Sequence, residues 1–435
     1  MSSREDSHSE FDTDFGGRYR ATPSIVHRLP AAFPSALLGS GRPLTLRGSG
    51  HSCAGQTVTD GELLVTYSPD TAIEQIRDLG EGLFEVPAGA SWHGVEQYLN
   101  RRGRALPVLP NHLHMSVGGT LSVGGAGAGS VRLGLQVDQV ERIQLIDGIG
   151  ASRWCSRTEH AELFRFALGG LGTVGLIERV VLRTMAHERR THLHRAEHPT
   201  LAALAADIEQ VARTGDADCY WAMAQSGRIW SVTGWWGAQG PGRCDDTDCT
   251  VAIDLPMQGS HPGKADSRRP NDPVNMWADY VVPVEHCAPM LAAVAGPRDR
   301  PLIGNSATVL YALIIRRSPD AVPFAFAPVG PAPVSVGIGI YARVEPDPKT
   351  VAETGEIFEN LLRRCVELGG RPYLYGVGEL DHSDALRLYG GDLDRLAELR
   401  ASLRLEHVNT HLPLVRLSGR IRGRAPGDAY QEGAP

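Results

Sequence analysis

The sequence has no long hydrophobic run. Glycine, proline or a charged residue interrupts each apolar stretch well before the ~18–20 residues that a membrane-spanning helix needs. Positive charge is also not in excess. The chain has 43 lysines and arginines against 50 aspartates and glutamates, and its net charge of −7 has the wrong sign for a protein that follows a nucleic-acid backbone. We therefore expect neither a membrane nor a nucleic acid as a partner.

Signals for export, disulfide bonding and metal binding are equally scarce. Met1–Phe11 contains no apolar segment of the kind that a secretory signal requires. The seven cysteines are odd in number and widely scattered, which does not suit a disulfide framework. Cys244 and Cys249 lie close together, but no second pair stands near them to complete a zinc site. We expect reduced thiols, no metal and a cytoplasmic location.

Glycine is the residue that the sequence has in excess. Fifty of the 435 residues are glycine, about 11% against a usual usage of about 7%. The 42% hydrophobic content and small net charge exclude a disordered chain, and the length predicts two or three domains. Three windows, residues 41–61, 118–134 and 169–175, together hold 16 of the glycines.

The pattern of apolar residues predicts an α+β protein with a domain boundary near residue 185. Over residues 25–183, short β-rich runs alternate with glycine-rich turns, and helical spacing is found at Thr71–Leu79 and Ser91–Arg102. The strands predicted in this first part are Leu44–Arg47, Glu62–Tyr67, Val140–Ile146 and Ile177–Arg183.

Beyond residue 185 the pattern predicts longer strands, and residues 240–272 are predicted to form a surface loop. The predicted strands are Cys219–Met223, Ile229–Trp236, Val274–Val282, Ala307–Ile315 and Val334–Tyr341, and the predicted helices are Thr200–Arg213, Ala352–Leu368 and Leu393–Leu403. Four tryptophans in this part either wall a broad apolar pocket or pack in a core, and the pattern leaves both accounts open. They are Trp221, Trp230, Trp235 and Trp236.

The first glycine window has the character of a phosphate-binding loop. It contains the run Leu46-Arg-Gly-Ser-Gly-His-Ser-Cys-Ala-Gly-Gln56, directly after a predicted strand. Small residues there let successive backbone N–H groups turn toward one point and bind phosphate oxygens, with Arg47 and Ser52 as supplements. It is neither a Walker loop nor a Gly-x-Gly-x-x-Gly fingerprint, and a tight turn between strands is the alternative. Three such windows in this order suggest a long, flat, phosphate-bearing cofactor between two half-domains.

These windows resemble those of the FAD-linked oxidoreductases of the vanillyl-alcohol oxidase type, most closely the cytokinin dehydrogenase branch. The first window is similar to the family's Gly-x-Gly-His-Ser-x-x-Gly-Gln loop, residues 117–122 to its Val-Gly-Gly-Thr-Leu-Ser segment, and residues 168–177 to its Leu-Gly-Gly-Leu-Gly-x-x-Gly-x-Ile block. Asp14-Phe-Gly16 also fits the family. The resemblance is strong over residues 12–185 and weaker beyond them.

The resemblance implies a two-subdomain PCMH-type FAD-binding domain followed by an α+β substrate (cap) domain with an antiparallel sheet. The expected division is a flexible N-terminus (1–20), an FAD-binding domain (21–185), a cap domain (186–395), a return to the FAD-binding domain (396–418) and a disordered tail (419–435).

The resemblance also implies which residues hold FAD. His51 stands where the family's histidine attaches covalently to the 8α-methyl group of the flavin, and an ordinary turn histidine is the alternative. The other expected contacts are Arg47, Gly48, Ser49, Gly50, Ser52, Gln56, Ser116, Gly118, Gly119, Thr120, Ser122, Ala126, Gly172, Gly175 and Ile177.

The substrate machinery departs from the family pattern. Where cytokinin dehydrogenases have an aspartate that takes a proton from the substrate amine, this chain has Asn111, which can orient a substrate but is not basic. The family's substrate-domain glutamate falls within residues 220–223, which contain no acid. Cytokinin cleavage is therefore not expected, and both of the family's carboxylates are missing.

An oxidation by flavin still needs a group that accepts the proton released with the hydride. His112 and His114 flank Leu113, so on a strand both would face one side. The catalytic candidates are Asn111 as an orienting group and His112, His114, Glu379, Asp381, Tyr373 and Tyr375 as proton acceptors.

We expect an FAD-dependent oxidoreductase that takes hydride from an alcohol, an amine or an activated C–H of a largely apolar small molecule of secondary metabolism. Oxygen is an expected electron acceptor, and the protein is expected to be a monomer or homodimer. A redox-silent, FAD-containing cyclase acting on a natural-product (polyketide-type) intermediate is the alternative, because loss of both carboxylates suits it. A binding protein with a vestigial flavin is the third interpretation.

Overall fold

The structure is a computed structural model that describes residues 11–29, 35–67, 73–237, 249–258, 272–296 and 307–420. Its strands, in chain order, are β1 (Ile25–Leu29), β2 (Leu44–Arg47), β3 (Leu63–Tyr67), β4 (Arg77–Gly80), β5 (Leu83–Pro87), β6 (Arg104–Ala105), β7 (Val140–Ile146), β8 (Ser152–Ser156), β9 (Leu176–Arg183), β10 (Met185–Ala186), β11 (Arg190–Glu197), β12 (Cys219–Gln225), β13 (Arg228–Trp236), β14 (Cys249–Ile253), β15 (Val274–Pro283), β16 (Thr308–Arg316), β17 (Val334–Val344) and β18 (Arg371–Pro372).

Helices connect these strands and cover one face of the largest sheet. In chain order they are α1 (Ser35–Leu38), α2 (Trp92–Asn100), α3 (Val117–Leu121), α4 (Ser130–Leu133), α5 (Ala161–Ala167), α6 (Leu201–Thr214), α7 (Leu255–Gln258), α8 (Cys287–Ala295), α9 (Pro348–Glu367), α10 (His382–Tyr389), α11 (Gly391–Ser402) and α12 (Pro413–Arg420). Among the described residues, no helix is long and apolar enough to cross a membrane.

Two small sheets form within residues 25–183. The first is parallel, with the strand order β1-β3-β2, and the second is antiparallel, with the order β4-β5-β9-β7-β8. The first glycine window surrounds β2, and the third ends immediately before β9. Glycine-rich backbone therefore lies at the ends of strands from both sheets.

The third sheet has eight antiparallel strands in the order β14-β11-β13-β12-β16-β17-β15-β18. In the neighbouring strands β16, β17 and β15, Gly339 of β17 pairs with Asp279 of β15 on one side and with Tyr311 of β16 on the other. Because side chains alternate between the two faces of a strand, Trp277, Asp279 and Val281 share one face. The opposite face packs on α9, where the hydroxyl of Tyr280 donates to the carbonyl of Phe358 at 2.9 Å.

The chain returns to the glycine windows near its C-terminus. The buried guanidinium of Arg400 in α11 donates to the carbonyls of Thr173, Leu405 and Val408 at 2.7, 2.6 and 2.8 Å. The amide of Asn409 donates to the carbonyl of Gly172 at 3.1 Å, and its oxygen accepts from the backbone N–H of Leu46 at 2.9 Å. These contacts tie the C-terminal segment to the first and third windows, while the predicted domain boundaries stay a prediction.

Two sequence predictions of local structure are wrong. Within the predicted helix Thr71–Leu79, residues 73–79 form a 3₁₀ turn (Ile73–Gln75) and the start of β4. The reason is the turn that follows, in which Gly80 and Gly82 adopt φ of +81° and +78° and β4 pairs with β5. The predicted loop over residues 240–272 contains β14, which pairs with β11. Cys244 lies outside the described residues.

The predicted flexible N-terminus also differs from the structure over residues 11–20. Phe11, Thr13 and Asp14 are buried, and the carboxylate of Asp14 accepts hydrogen bonds from the backbone N–H groups of Gly17 and Gly55 at 2.7 and 2.9 Å. Residues 1–10 lie outside the described residues. At the other end, α12 includes residues 419 and 420, and the remainder of the predicted disordered tail lies outside the described residues.

We predict that Arg400→Met destabilises the protein. The substitution leaves three buried carbonyl oxygens without their charged donor, which is expected to cost about 2–4 kcal/mol and to lower the thermal midpoint by roughly 4–8 °C. Arg387→Met is the matched control, because Arg387 is exposed at the end of α10. Differential scanning fluorimetry of both variants would contradict the prediction if their midpoints were equal.

Candidate functional site

A large open cavity of about 1770 Å³ lies between the glycine windows and the inner face of the eight-stranded sheet. All sixteen residues predicted to contact the cofactor line it, namely Arg47, Gly48, Ser49, Gly50, His51, Ser52, Gln56, Ser116, Gly118, Gly119, Thr120, Ser122, Ala126, Gly172, Gly175 and Ile177. Their contact with FAD stays a prediction.

The first two windows meet at Gly48. A Cβ atom at this position would lie 2.4 Å from the hydroxyl oxygen of Ser116 and 3.4 Å from the Cα of Gly119, so the close approach requires glycine. In the second window, the indole N–H of Trp92 donates to the hydroxyl of Thr120 at 2.6 Å, which fixes α3 against α2. The structure thus brings backbone from both windows to one wall of the cavity.

Arg47 has a different position from the one expected of a phosphate ligand. Its guanidinium is buried and donates to the carbonyls of Thr13 and Thr57, both at 3.1 Å, although the residue also borders the cavity. Burial lowers the pKa of this group to about 10, and Asp14 opposes that shift. Arg47 therefore holds the N-terminal segment against the first window.

His51 lies in a cluster of aromatic rings. It stacks on Phe15 with ring centroids 4.0 Å apart, and His112, His114 and Trp277 follow at 4.8, 5.3 and 5.5 Å. Neither ring nitrogen meets a hydrogen-bond partner on another described residue. Burial, with His112 and His114 beside it, lowers the pKa of His51 to about 3, so the ring is neutral at physiological pH.

The two histidines after Asn111 do not lie on a strand, so that prediction is wrong. Residues 112–115 form a turn, and His112 and His114 nevertheless reach the same ring, that of His51. His112 lines the cavity and stacks on Trp277, whereas His114 is not among the lining residues. Burial lowers the pKa of His112 to about 4, and its neighbour His114 contributes to that shift.

Asp279 is a cavity residue that the sequence analysis missed. Its Oδ1 accepts a hydrogen bond from the hydroxyl of Tyr341 at 3.0 Å, and its Oδ2 accepts one from the hydroxyl of Tyr375 at 2.5 Å. Within the described residues it has no ion-pair partner. Burial raises the pKa of this carboxyl to about 6, and the two tyrosines oppose the shift. The signal was available in the sequence, because Asp279 is the one charged residue of the predicted strand Val274–Val282.

The other predicted catalytic residues divide into two groups. Asn111, Tyr373 and Tyr375 line the cavity, and the hydroxyl of Tyr311 donates to Oδ1 of Asn111 at 3.0 Å. Glu379 and Asp381 do not line it, so their selection as proton acceptors is wrong. The exposed Glu379 pairs with Arg416 at 3.1 Å, and Asp381 caps α10.

The four tryptophans chosen from the sequence do not wall this cavity. Trp221, Trp230, Trp235 and Trp236 belong to β12 and β13, and none is among the cavity-lining residues that the structure describes. The aromatic wall consists of Trp277 with Tyr311, Tyr341, Tyr373 and Tyr375 instead. Strand order decides this, because β15, β16 and β17 face the glycine windows.

Comparison with known proteins agrees with this site. Residues 36–156 match the family model described as an FAD binding domain. An uncharacterised oxidoreductase from the fasciation locus of Rhodococcoides fascians is 37% identical over 181 residues, which cover 40% of this chain and 41% of the relative. Cytokinin dehydrogenase 4 of Oryza sativa subsp. japonica is 33% identical over 195 residues, covering 40% of this chain and 37% of the relative.

Cytokinin dehydrogenase 1 of Arabidopsis thaliana is 31% identical over 179 residues, covering 38% of this chain and 31% of the relative. The chain therefore spans about two fifths or less of the length of these curated relatives. The domain match and the relatives confirm the resemblance of the chain to the FAD-linked oxidoreductases of the vanillyl-alcohol oxidase superfamily, near the cytokinin dehydrogenase branch.

The residues of the cavity fit FAD. The hydroxyl oxygen of Ser116 is buried without a hydrogen-bond partner among the described residues, and a cofactor oxygen or N–H would satisfy it. A Cβ on Gly48 would fill space beside that hydroxyl, and glycine leaves the backbone free to approach the cofactor. The unpartnered nitrogens of His51 provide a third group that a bound flavin would engage.

We predict that Gly48→Ala weakens FAD binding without unfolding the protein. The added methyl group meets the hydroxyl of Ser116 at 2.4 Å, and relieving that overlap costs about 1–3 kcal/mol. We expect the flavin-to-protein ratio after purification and dialysis to fall, while far-ultraviolet circular dichroism is unchanged. Gly391→Ala is the control, since a Cβ there meets nothing within 4 Å. Equal flavin content in both variants would contradict the prediction.

Proposed function

We propose that the protein is an FAD-dependent oxidoreductase that takes hydride from an alcohol, an amine or an activated C–H of a largely apolar small molecule. The observation that carries the proposal is that one cavity joins the three glycine windows to an aromatic face of the eight-stranded sheet. Bound FAD would supply the hydride acceptor and pass the electrons to oxygen or another acceptor. The chain's own residues would bind and orient the substrate beside it.

The composition of the cavity wall supports an apolar substrate. Val281, Leu313 and Ile315 lie on the sheet face together with the aromatic residues, so the surface offers dispersion contacts and few hydrogen bonds. Asn111 is a polar exception. Its Oδ1 accepts from Tyr311, which leaves the amide N–H groups to donate to an oxygen or nitrogen of the substrate.

The substrate is proposed to differ from that of the relatives named cytokinin dehydrogenases. Asparagine at position 111 cannot take a proton. The sheet also brings tyrosines and Asp279 into the cavity, and the sequence resemblance did not predict these residues there. An origin of the substrate in secondary metabolism and a cytoplasmic location stay predictions from the sequence.

We further propose that FAD is attached covalently through His51. A nitrogen can form a bond to the flavin only if its lone pair is free, and His51 combines a lowered pKa with two ring nitrogens that have no partner on another described residue. Stacking on Phe15 holds the ring in one orientation. Its place in the first window matches that of the family's attachment histidine.

The proposed reaction is tested by anaerobic mixing of the purified flavoprotein with benzyl alcohol, cinnamyl alcohol, naphthalenemethanol and the corresponding amines. We expect at least one probe to bleach the visible absorption band of the flavin, with the matching aldehyde or imine as product. Conversion of a probe to a rearranged product while the flavin stays oxidised would contradict oxidation and favour the redox-silent cyclase.

We predict that His51→Ala releases the flavin on denaturation. After acid precipitation the wild-type protein should retain its yellow colour in the pellet, because the cofactor is bonded to the chain, whereas the variant should lose it to the supernatant. His382→Ala is the control, because His382 is exposed on α10. Yellow supernatant from the wild-type protein would refute covalent attachment.

A further inference from the structure

We propose that Asp279 is the group that accepts the substrate's O–H or N–H proton as hydride leaves the adjacent carbon. This inference rests on the proposed oxidation and names the base that the sequence did not reveal. It assigns the role to a carboxylate on β15 of the eight-stranded sheet that lines the cavity.

Register places this carboxylate in the cavity. Asp279, Gly339 and Tyr311 form one row across β15, β17 and β16, and the side chains of Asp279 and Tyr311 stand on the face that borders the glycine windows. The next row contains Trp277 and Tyr341, whose rings lie 4.6 Å apart. A substrate held against these rings has Asp279 as its nearest carboxylate in the described wall of the cavity.

Glycine at position 339 makes room for the arrangement. A Cβ there would lie 2.4 Å from Oδ1 of Asp279 and 2.6 Å from the hydroxyl oxygen of Tyr341. The hydrogen bond between these two groups therefore depends on a missing side chain in the middle of a sheet, where glycine is otherwise unfavourable. Such an arrangement costs stability, which is typical of a site maintained for function.

Asp279 can accept a proton because each of its oxygens receives a single hydrogen bond from the residues that the structure describes. Tyr341 donates to Oδ1 and Tyr375 to Oδ2, and a carboxylate oxygen has two lone pairs, so one on each oxygen remains for the substrate. In the described parts of the chain, the titratable groups that face it are tyrosines, namely Tyr341 from β17, Tyr311 from β16, and Tyr373 and Tyr375 from the segment after β18. None of these brings a positive charge that would weaken the base.

The other candidates in the cavity are weaker bases. Burial lowers the pKa of His112 to about 4, and its ring is occupied between Trp277 and His51. The tyrosines have raised pKa values and stay protonated near neutral pH. Asn111 has no lone pair of comparable basicity. Asp279, with a pKa of about 6, is ionised at neutral pH and lies within range of a general base that operates there.

With an alcohol probe, the O–H bond breaks and its proton goes to the carboxylate of Asp279. The C–H bond breaks and the hydrogen leaves with its electron pair, for which bound FAD would be the acceptor. The C–O single bond becomes C=O, so the alcohol is oxidised by two electrons and the flavin is reduced by two. Asp279 then returns the proton to solvent or to the electron acceptor.

The test compares Asp279→Asn with the wild-type protein in anaerobic stopped-flow reduction by naphthalenemethanol between pH 5 and 8. We expect the wild-type rate to rise with pH through a midpoint near pH 6 and to level off about one pH unit above it, because only the ionised carboxylate accepts a proton. The variant should reduce about 100- to 10,000-fold more slowly and lose this pH dependence. Flavin content and thermal midpoint should be unchanged.

Asp207→Asn is the matched control. Asp207 also accepts a hydrogen bond from a tyrosine, Tyr220, at 2.9 Å, but it lies on α6 away from the cavity. This variant should keep the wild-type reduction rate and pH profile. Equal loss in both variants would show that Asp279 acts only through folding.

Tyr375→Phe separates positioning from proton transfer. Removing its hydroxyl takes away a donor that stabilises the carboxylate, so the pH midpoint of reduction should move upward while the limiting rate at high pH is largely kept. Infrared difference spectra between pH 5 and 7.5 give a readout independent of turnover. In the wild-type protein they should show a titrating carboxylic acid signal, and Asp279→Asn should lose the Asp279 component while keeping that of Glu96, whose pKa burial raises to about 7.

The outcomes distinguish this inference from the proposed function. If Asp279→Asn is reduced at the wild-type rate, the assignment of the base is overturned and the oxidation stands. If the wild-type protein is reduced by no alcohol or amine probe, the oxidation fails and this assignment fails with it. Identical infrared difference spectra for the wild-type protein and Asp279→Asn between pH 5 and 7.5 also overturn the assignment.

Discussion

The wall that the glycine windows form depends on backbone segments that lie against one another with no side chains between them. Gly48 reaches Ser116 and Gly119, and Gly172 lies beside the amide of Asn409, so three distant segments converge on one wall. A Cβ at Gly48 would have to displace the Ser116 hydroxyl, which would spread the windows apart. The C-terminal return supports the same wall, since Arg400 and Asn409 satisfy carbonyl groups of the third window.

The wall that the eight-stranded sheet forms depends on the alternation of side chains between the two faces of each β-strand. One face of β15 packs on α9 through Tyr280, and the other turns Trp277 and Asp279 toward the glycine windows. A single register between β15 and β17 brings Asp279 to Tyr341. A shift by one residue would move the carboxylate into the apolar layer beneath α9.

One electrostatic condition explains the behaviour of both walls. The cavity penalises charge, so burial lowers the pKa of His51 to about 3 and raises that of Asp279 to about 6. The histidine is therefore kept neutral with its lone pair free, and the carboxyl group is ionised at neutral pH with its pKa about one unit below. An apolar environment thus prepares a nucleophilic nitrogen on one side and a base on the other.

The sequence by itself determined the cofactor side of the protein. Glycine windows and the loop around His51 are local patterns, and every residue that they named lines the cavity. Strands such as Val140–Ile146 were also predictable, because their pattern lies within a few consecutive residues. Only the tertiary structure decided the substrate side. Glu379 lies at the surface and Asp279 lies in the cavity, and strand order and register, which join residues far apart in the chain, determine that difference.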